Sequence, residues 1–443
     1  MKKNGILLLV VVMVLSLFLA ACGSSEPAAE TSEPAAETSE PAAAGEETIT
    51  LKFLHRWPDE LYDGFFNDMA REYEASHPGV KIDVQAIAND PFKEKIKVVL
   101  GTDEAPDVFF TWPGEFTNRF IRAGKVMDLT DVMMEDNYID NYVASQMEPF
   151  TVDGKIYGAP VRVDGKIFVY NKELFAQAGV EVPETWEEFV TVCEQLDAAG
   201  IVPIAFGNQA PWAVSHYVGT LNQKIVGEPI HDAYDPATGD FSDPGFVIAL
   251  EEFERIVPYF NKNTNGIRHS EARENWIAGK AAMMYIEIVE IPEIERSGNQ
   301  DIIENYGVFE FPIVEGGKGD QTMLTGYPEG FVVSNTTKHP EEAIEFFKYI
   351  TGKEVGLKEA QAVGWLNGAK GIAEKGQIPD SLYENTQIVY NAGGLVNWLD
   401  SGMHAKVTNE YLTDLQMLID GLLTPQEVMD KVQEVATEVT KEF

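Results

Sequence analysis

Cysteine is nearly absent: Cys22 and Cys193 are the only two in 443 residues, so no network of cross-links can stand in for a hydrophobic core. Positive charge is also short. Lys and Arg number 33 against 72 Asp and Glu, a formal net charge of −39, which excludes the basic patches that nucleic acid or anionic lipid would require. The sequence holds no G-x-S-x-G, no H-E-x-x-H and no G-x-x-x-x-G-K-S/T, and its seven histidines are scattered without ligand spacing. Serine hydrolase, zinc protease and phosphate-loop chemistry therefore lack their signatures, and no metal or cofactor is expected. Asp235, Asp240 and Asp243 do not match a calcium-loop spacing; Ser242 or Asp243 before Pro244 reads instead as the start of a helix.

Apolar residues make up 44% of the chain, enough for two cores, and the length itself predicts two domains. The N-terminus is set apart. Lys2 and Lys3 precede an apolar run, Ile6 to Ala21, that is too short to span a bilayer comfortably and ends in small residues before Cys22. Leu19-Ala20-Ala21-Cys22 resembles a bacterial lipobox, which implies a signal peptide over 1–21, cleavage before Cys22 and lipid on that residue. Next come SEPAAET at Ser25–Thr31, its repeat at Ser32–Thr38, and SEPAA at Ser39–Ala43. Each unit carries a Pro and no large apolar residue, so the period of seven offers no coiled-coil seam. Residues 22–47 read as a flexible acidic tether.

The body opens on an alternating strand, Thr48 to Leu54, that runs into His55-Arg56-Trp57-Pro58-Asp59 and a helix from Leu61 to Ser76. A second strand spans Val80 to Ile87, a helix about Pro91 to Leu100, and a buried strand Ala105 to Phe110 ends in Thr111-Trp112-Pro113-Gly114-Glu115. Strand and helix alternate as in a parallel sheet with right-handed crossovers, whose carboxyl edge is where ligands bind. From Phe150 to Val190, two Asp-Gly turns (Asp153-Gly154 and Asp164-Gly165) flank Ala159-Pro160 and lead into the apolar run Ile167 to Tyr170, a pattern read as the crossing between two folded bodies. Ala199 to Phe206 reads as another buried strand. Thr185 and Glu188 form a capping box on a helix whose apolar face takes in Trp186, Phe189, Cys193 and Leu196, so Cys193 is expected to be inert core.

The ordered series TITLKFLHRW, EAPDVFFTW, IYGAP, VYNKELFAQAGVEVPETWEEF, WIAGKAAMMY, YGVFEFP and EGFVVSNTTKHPEEAIEFFKYIT resembles the family 1 extracellular solute-binding proteins of ABC importers, most nearly the oligosaccharide-binding branch with its maltose-type receptors. The resemblance implies an α/β, periplasmic-binding-protein-like fold of type II: two lobes, a hinge of three crossovers, and a ligand held in the cleft between them. It places lobe one at 48–160 and 314–365, lobe two at 161–313 and 366–443, and crossovers near Ala159–Asp164, Val308–Val314 and Gly364–Ala369. It also implies a monomer with no enzymatic activity, lipid-anchored on the extracytoplasmic face of a Gram-positive cell and partnered by permease subunits. One departure stands out. After Gly-Lys-Ala-Ala-Met the family carries a Gly-x-Trp whose Trp stacks on sugar, and here Glu287, Ile288 and Val289 take those places.

A sugar presents C–H faces and a rim of hydroxyls, so its site needs flat aromatics beside planar polar groups. Trp57, Trp112, Trp212 and Trp398 are the candidates for stacking, with Trp186 and Trp276 assigned to core. Arg56, Asp59, Glu115, Arg162, Asp164 and Asp400 are the candidates for the rim; Tyr327, beside Gly326, joins them because the family places contacts there. Glu287 opens the triplet that stands in place of Gly-x-Trp, with Glu290 close by. Those two carboxylates also keep a polyamine or other non-sugar solute open as ligand, and paired acids leave a glycoside hydrolase as a remote alternative.

Overall fold

The computed structural model describes residues 48–443; the expected signal peptide, Cys22 and the expected tether lie outside the described residues. Strand β1 (Ile49–His55), helix α1 (Glu60–Ser76), β2 (Val80–Ala86), α2 (Asn89–Val99), β3 (Val108–Thr111) and α3 (Glu115–Arg122) follow one another as the alternation predicts. β1 lies parallel between β2 and β3. The sheet is completed by β4 (Gly158–Arg162) and, from far along the chain, by the strand Glu329–Val333, which runs antiparallel to both β3 and β4. The core beneath is aromatic: Phe53, Phe66, Phe110, Phe331 and Phe346 meet edge to face, the arrangement ring quadrupoles favour.

Past Val163–Gly165 the chain enters a second body. β5 (Lys166–Asn171) is central in a three-stranded antiparallel sheet between β6 (Met283–Glu287) and β7 (Tyr306–Phe309). Helices α4 (Trp186–Ala198), α5 (Trp212–Val226), α6 (Gly245–Ile256), α7 (His269–Ile277) and α8 (Ile291–Arg296) lie in the same stretch. Further on come β8 (Leu324–Thr325), β9 (the Glu329–Val333 strand), α9 (Pro340–Thr351) and α10 (Lys353–Ala362); β10 (Leu395–Val396), α11 (Leu399–Gly402), α12 (Ala405–Ile419) and α13 (Pro425–Val439) finish the chain. Helix α12 packs on α13, and both reach the second core through Tyr411, Leu415, Val428 and Val432.

Local sequence accounts for several of these ends. Thr185 and Glu188 form the expected capping box on α4, and Thr424 with Glu427 forms another on α13. Cys193 is fully buried on α4, where burial pushes its thiol pKa up and leaves it un-ionised. Trp186 and Trp276 are core, at 2% and 0% exposure. Asp240 and Asp243 accept the backbone N–H groups of Ser242 and Gly245 at 2.9 and 2.7 Å, turning the chain into α6.

Three expectations are revised. Ala199–Phe206 is not a full strand: only Ile204 bridges, to Phe260 and Met283; the segment lies along the outer edge of β6, with Ala282 and Met283 N–H donating to Val202 O and Pro203 O and Ala205 N–H to Met283 O, but Pro203 has no N–H with which to extend the ladder. The second crossing also falls later than Val308–Val314. Phe311 and Val314 still belong to the second core, and the chain regains the first sheet only at Glu329. Residues 364–369 stay with the first body, where Val163 N–H donates to Leu366 O at 2.7 Å and Asn367 Nδ2 donates to Thr351 O at 2.9 Å. Among the described residues no helix is long and apolar enough to cross a membrane.

Candidate functional site

A cavity of about 600 Å³ opens where the carboxyl ends of β1 and β3 face α5, α7 and α8 of the second body. Its floor is one carboxylate. Glu329, 3% exposed, accepts both oxygens' worth of hydrogen bonds from Arg56 Nη2 (3.0 and 2.8 Å) and one from Trp112 Nε1 (2.8 Å), and lies 2.9 Å from Arg162 Nη2. Strand direction puts it there. β9 runs antiparallel to β3 and β4, so its first residue lies at the edge where β3 ends, and Glu329 sits opposite Arg162 in the register. Two buried guanidiniums on one buried carboxylate form a network whose members stabilise one another and would be destabilising alone.

Arg162 extends the network toward the second body. Its Nη2 donates to Glu287 Oε2 at 3.2 Å and lies 3.2 Å from Asp164 Oδ2. Burial, with the neighbouring Glu287 charge, pushes the Asp164 carboxyl well above the usual carboxylate range, against the pull of the Arg162 guanidinium. Burial opposes ionisation of Glu287 as well, yet the Lys166 ammonium and Arg162 outweigh it and hold its pKa below the ordinary value. The same competition ionises Glu290: His269 and Arg273 overcome its burial, with Arg273 Nη1 at 2.7 Å and His269 Nε2 at 3.0 Å. At the opposite wall Lys93 Nζ donates to Asp400 Oδ2 at 2.7 Å, and His216 Nε2 stands 3.7 Å from the other oxygen. Burial is the chief reason the His216 pKa falls, so the ring is neutral. Near α8, Tyr62 hydrogen-bonds to Glu293, and Arg296 Nη2 donates to both the phenol oxygen (3.1 Å) and Glu293 (2.9 Å).

The aromatic half of the cavity is equally built. Trp57 lies 4.9 Å from Trp365, which stacks on Tyr62 at 4.3 Å and carries the Arg162 guanidinium 5.1 Å above its ring. Trp365 Nε1 donates to Val289 O at 3.4 Å. A tryptophan from the far end of the chain thus lies against the segment where the family's Gly-x-Trp is lacking. Trp398 packs 4.5 Å from His216, and Trp212, half-buried, stands between His216 and His269.

Nine of the residues selected from sequence line this one cavity: Arg56, Trp57, Asp59, Trp112, Arg162, Trp212, Glu287, Trp398 and Asp400. Asp164 lies directly beneath it, fully buried against Arg162. Glu115 and Tyr327 lie elsewhere, on a separate cavity of about 650 Å³ beyond α11, and Glu115 is paired there with Arg122. The sequence reading did not single out Glu329, Lys93, His216, Tyr62 or Trp365. The edge rule that selected Trp57 and Trp112 also reaches Glu329, but only once β9 is known to run antiparallel. Lys93 and His216 sit mid-helix with no local mark of function.

A model described as bacterial extracellular solute-binding protein matches residues 58–356. The multiple sugar-binding protein of Streptococcus mutans is 24% identical over 424 residues, covering 93% of this chain and 92% of that protein. A solved chain described as a chitin oligosaccharide binding protein superposes with a TM-score of 0.81 at 25% identity, over 90% of this chain and all of that one. Another, from a study of xylan utilization by the thermophilic bacterium Caldanaerobius polysaccharolyticus, gives a TM-score of 0.79 at 27% identity, over 87% of this chain and 99% of that one.

Proposed function

The chain belongs to the bacterial extracellular solute-binding proteins of ABC transporters, and from that premise we propose that it captures an uncharged oligosaccharide in the cavity between its two bodies and delivers it to a membrane permease. It is a receptor of type II fold and not an enzyme. We further read Cys22 as its lipid attachment, holding a monomeric body on the extracytoplasmic face of a Gram-positive cell by the acidic tether.

The observation that carries the sugar reading is the pairing of the cavity's inner carboxylates, Asp59 and Asp90 standing exposed at its rim. Glu329, Glu287, Glu290, Glu293 and Asp400 each already face a cation of the chain itself. A polyamine would have to displace those partners from buried positions, whereas a neutral hydroxyl can add a hydrogen bond to an ion pair without breaking it. Hydrogen bonds to charged groups contribute about 1.5–3 kcal/mol each, and half-buried Trp212 offers the flat surface that a C–H face needs, with Trp57 and Trp398 in the cavity wall. This also answers the polyamine alternative that Glu287 and Glu290 raised, since Arg162 and Arg273 occupy them.

Thermal-shift screening of the protein against pentose and hexose oligosaccharides, with spermidine and an amino acid beside them, tests the reading. A rise in melting temperature with at least one neutral oligosaccharide is expected. Stabilisation by spermidine alone would overturn it.

A further inference from the structure

The cavity does not end at the Lys93–Asp400 pair. A second chamber of about 510 Å³ shares Asp90, Lys93, Ala210, Trp212, Arg268 and Asp400 with the first and continues between α3 and α12. Its far walls are Phe116 and Arg119 on α3 and Ala405, Thr408, Asn409 and Leu412 on α12. Both bodies therefore contribute to it, as they do to the first.

We infer that this chamber is a further sugar subsite and that the ligand is a linear oligosaccharide of at least three rings, running from the Glu329 floor past Trp212 to an end held between Arg119 and Asn409. The inference rests on the sugar reading above and adds to it a chain length and a direction.

Three features make the chamber a binding surface. The Arg119 guanidinium lies against the Phe116 and Phe120 rings, its Cζ 4.4 and 4.7 Å from their centroids, with Nε donating to Phe116 O at 3.1 Å. Its Nη2 is buried and has no partner. A planar donor held this way is preorganised, so little side-chain freedom is lost when a hydroxyl accepts from it. Across the chamber the exposed Asn409 side chain makes no hydrogen bond among the described residues, leaving an amide donor and acceptor open. Between the chambers stands half-buried Trp212, a flat surface at the junction where a chain passing from one to the other would expose a ring face. Charge again favours a neutral occupant. Lys93 is paired with Asp400, and the Arg119 guanidinium faces the Glu115 and Glu94 carboxylates.

Calorimetric titration of the full chain with xylose, N-acetylglucosamine and α-1,4-linked glucose oligosaccharides of two to five rings tests this. In the series that binds, the tetrasaccharide should bind about tenfold or more tighter than the disaccharide, the yield of one added charged hydrogen bond. Arg119→Gln should bring that ratio down toward one, and Ala405→Phe, which fills the chamber from α12 without touching the packing of Arg119, should do the same. Circular dichroism melts check that both variants fold. Equal affinity for all lengths, or a ratio unmoved in both variants, overturns the subsite while leaving the receptor reading in place. Failure of every sugar to bind overturns the receptor reading, and the subsite with it.

Discussion

At the residue scale the site depends on Glu329. Two arginines and an indole N–H converge on it, so Glu329→Gln, which keeps the shape and removes the charge, leaves buried Arg56 without its counter-charge and takes from Arg162 one of its carboxylate partners. The expected loss is about 3–5 kcal/mol of folding stability by urea denaturation, together with loss of ligand binding. Arg162→Ala should likewise weaken both, because it removes the cation that Glu329 and Glu287 share and leaves them to Arg56 and Lys166 alone. His55 gives a second prediction. It is fully buried among Phe53, Trp57 and Phe66, and burial lowers its pKa from 6.5 to about 3; Asp63 stands 3.3 Å away but outside hydrogen-bonding geometry. Below pH 6.5 the unfolded chain takes up a proton that the folded chain refuses, so stability falls with pH from about 6.5 toward 3. Unfolding free energies measured across that range should flatten in His55→Asn relative to the parent.

At the scale of elements, what is local in sequence is also local in cause. The Thr424 hydroxyl accepts the Glu427 N–H while the Glu427 carboxylate accepts the Thr424 N–H at 2.9 Å, and Pro425 begins α13. Thr424→Ala should cost about 1 kcal/mol, read as a lower urea midpoint at unchanged slope. β9 depends on a different kind of residue. A Cβ on Gly330 would meet Ala159 O at 2.2 Å and the Phe150 ring at 2.4 Å, so close packing of β9 on β4 requires glycine there. That need was invisible in the sequence, where Gly330 only begins an apolar run. The unformed strand at Ala199–Phe206 teaches the converse: apolar content predicted burial correctly, but a ladder also needs a backbone donor at each paired position, and Pro203 has none.

At the scale of the molecule, the two bodies are held across the cavity by polar contacts at either end. Lys93 of α2 reaches Asp400 beside α5, and Tyr62 of α1 reaches Glu293 and Arg296 of α8. Such contacts favour closure only modestly, since a partly exposed ion pair contributes about 1 kcal/mol or less. On the proposed function, a ligand touching both walls would add the rest through its greater affinity for the closed state. Small-angle scattering should therefore show the Lys93→Met, Tyr62→Phe double variant with a larger radius of gyration than the parent when ligand-free, and a return to the parent value when sugar is bound. A profile that never changes would mean that packing alone fixes the bodies.

The sequence by itself determined the alternating order of strands and helices in the first body, the capped ends of α4 and α13, the core roles of Trp186, Trp276 and Cys193, and most of the residues that meet in the cavity. Each of these follows from spacing or from position at a strand end, which neighbours in the chain suffice to define. Only the tertiary structure decided that Glu329 is the floor of the site, that Trp365 lies against Val289, and that Glu115 and Tyr327 face a different cavity. Those outcomes turn on strand direction and on contacts between residues far apart in the chain, such as Arg56 with Glu329 across 273 positions, and no local pattern of side chains encodes them.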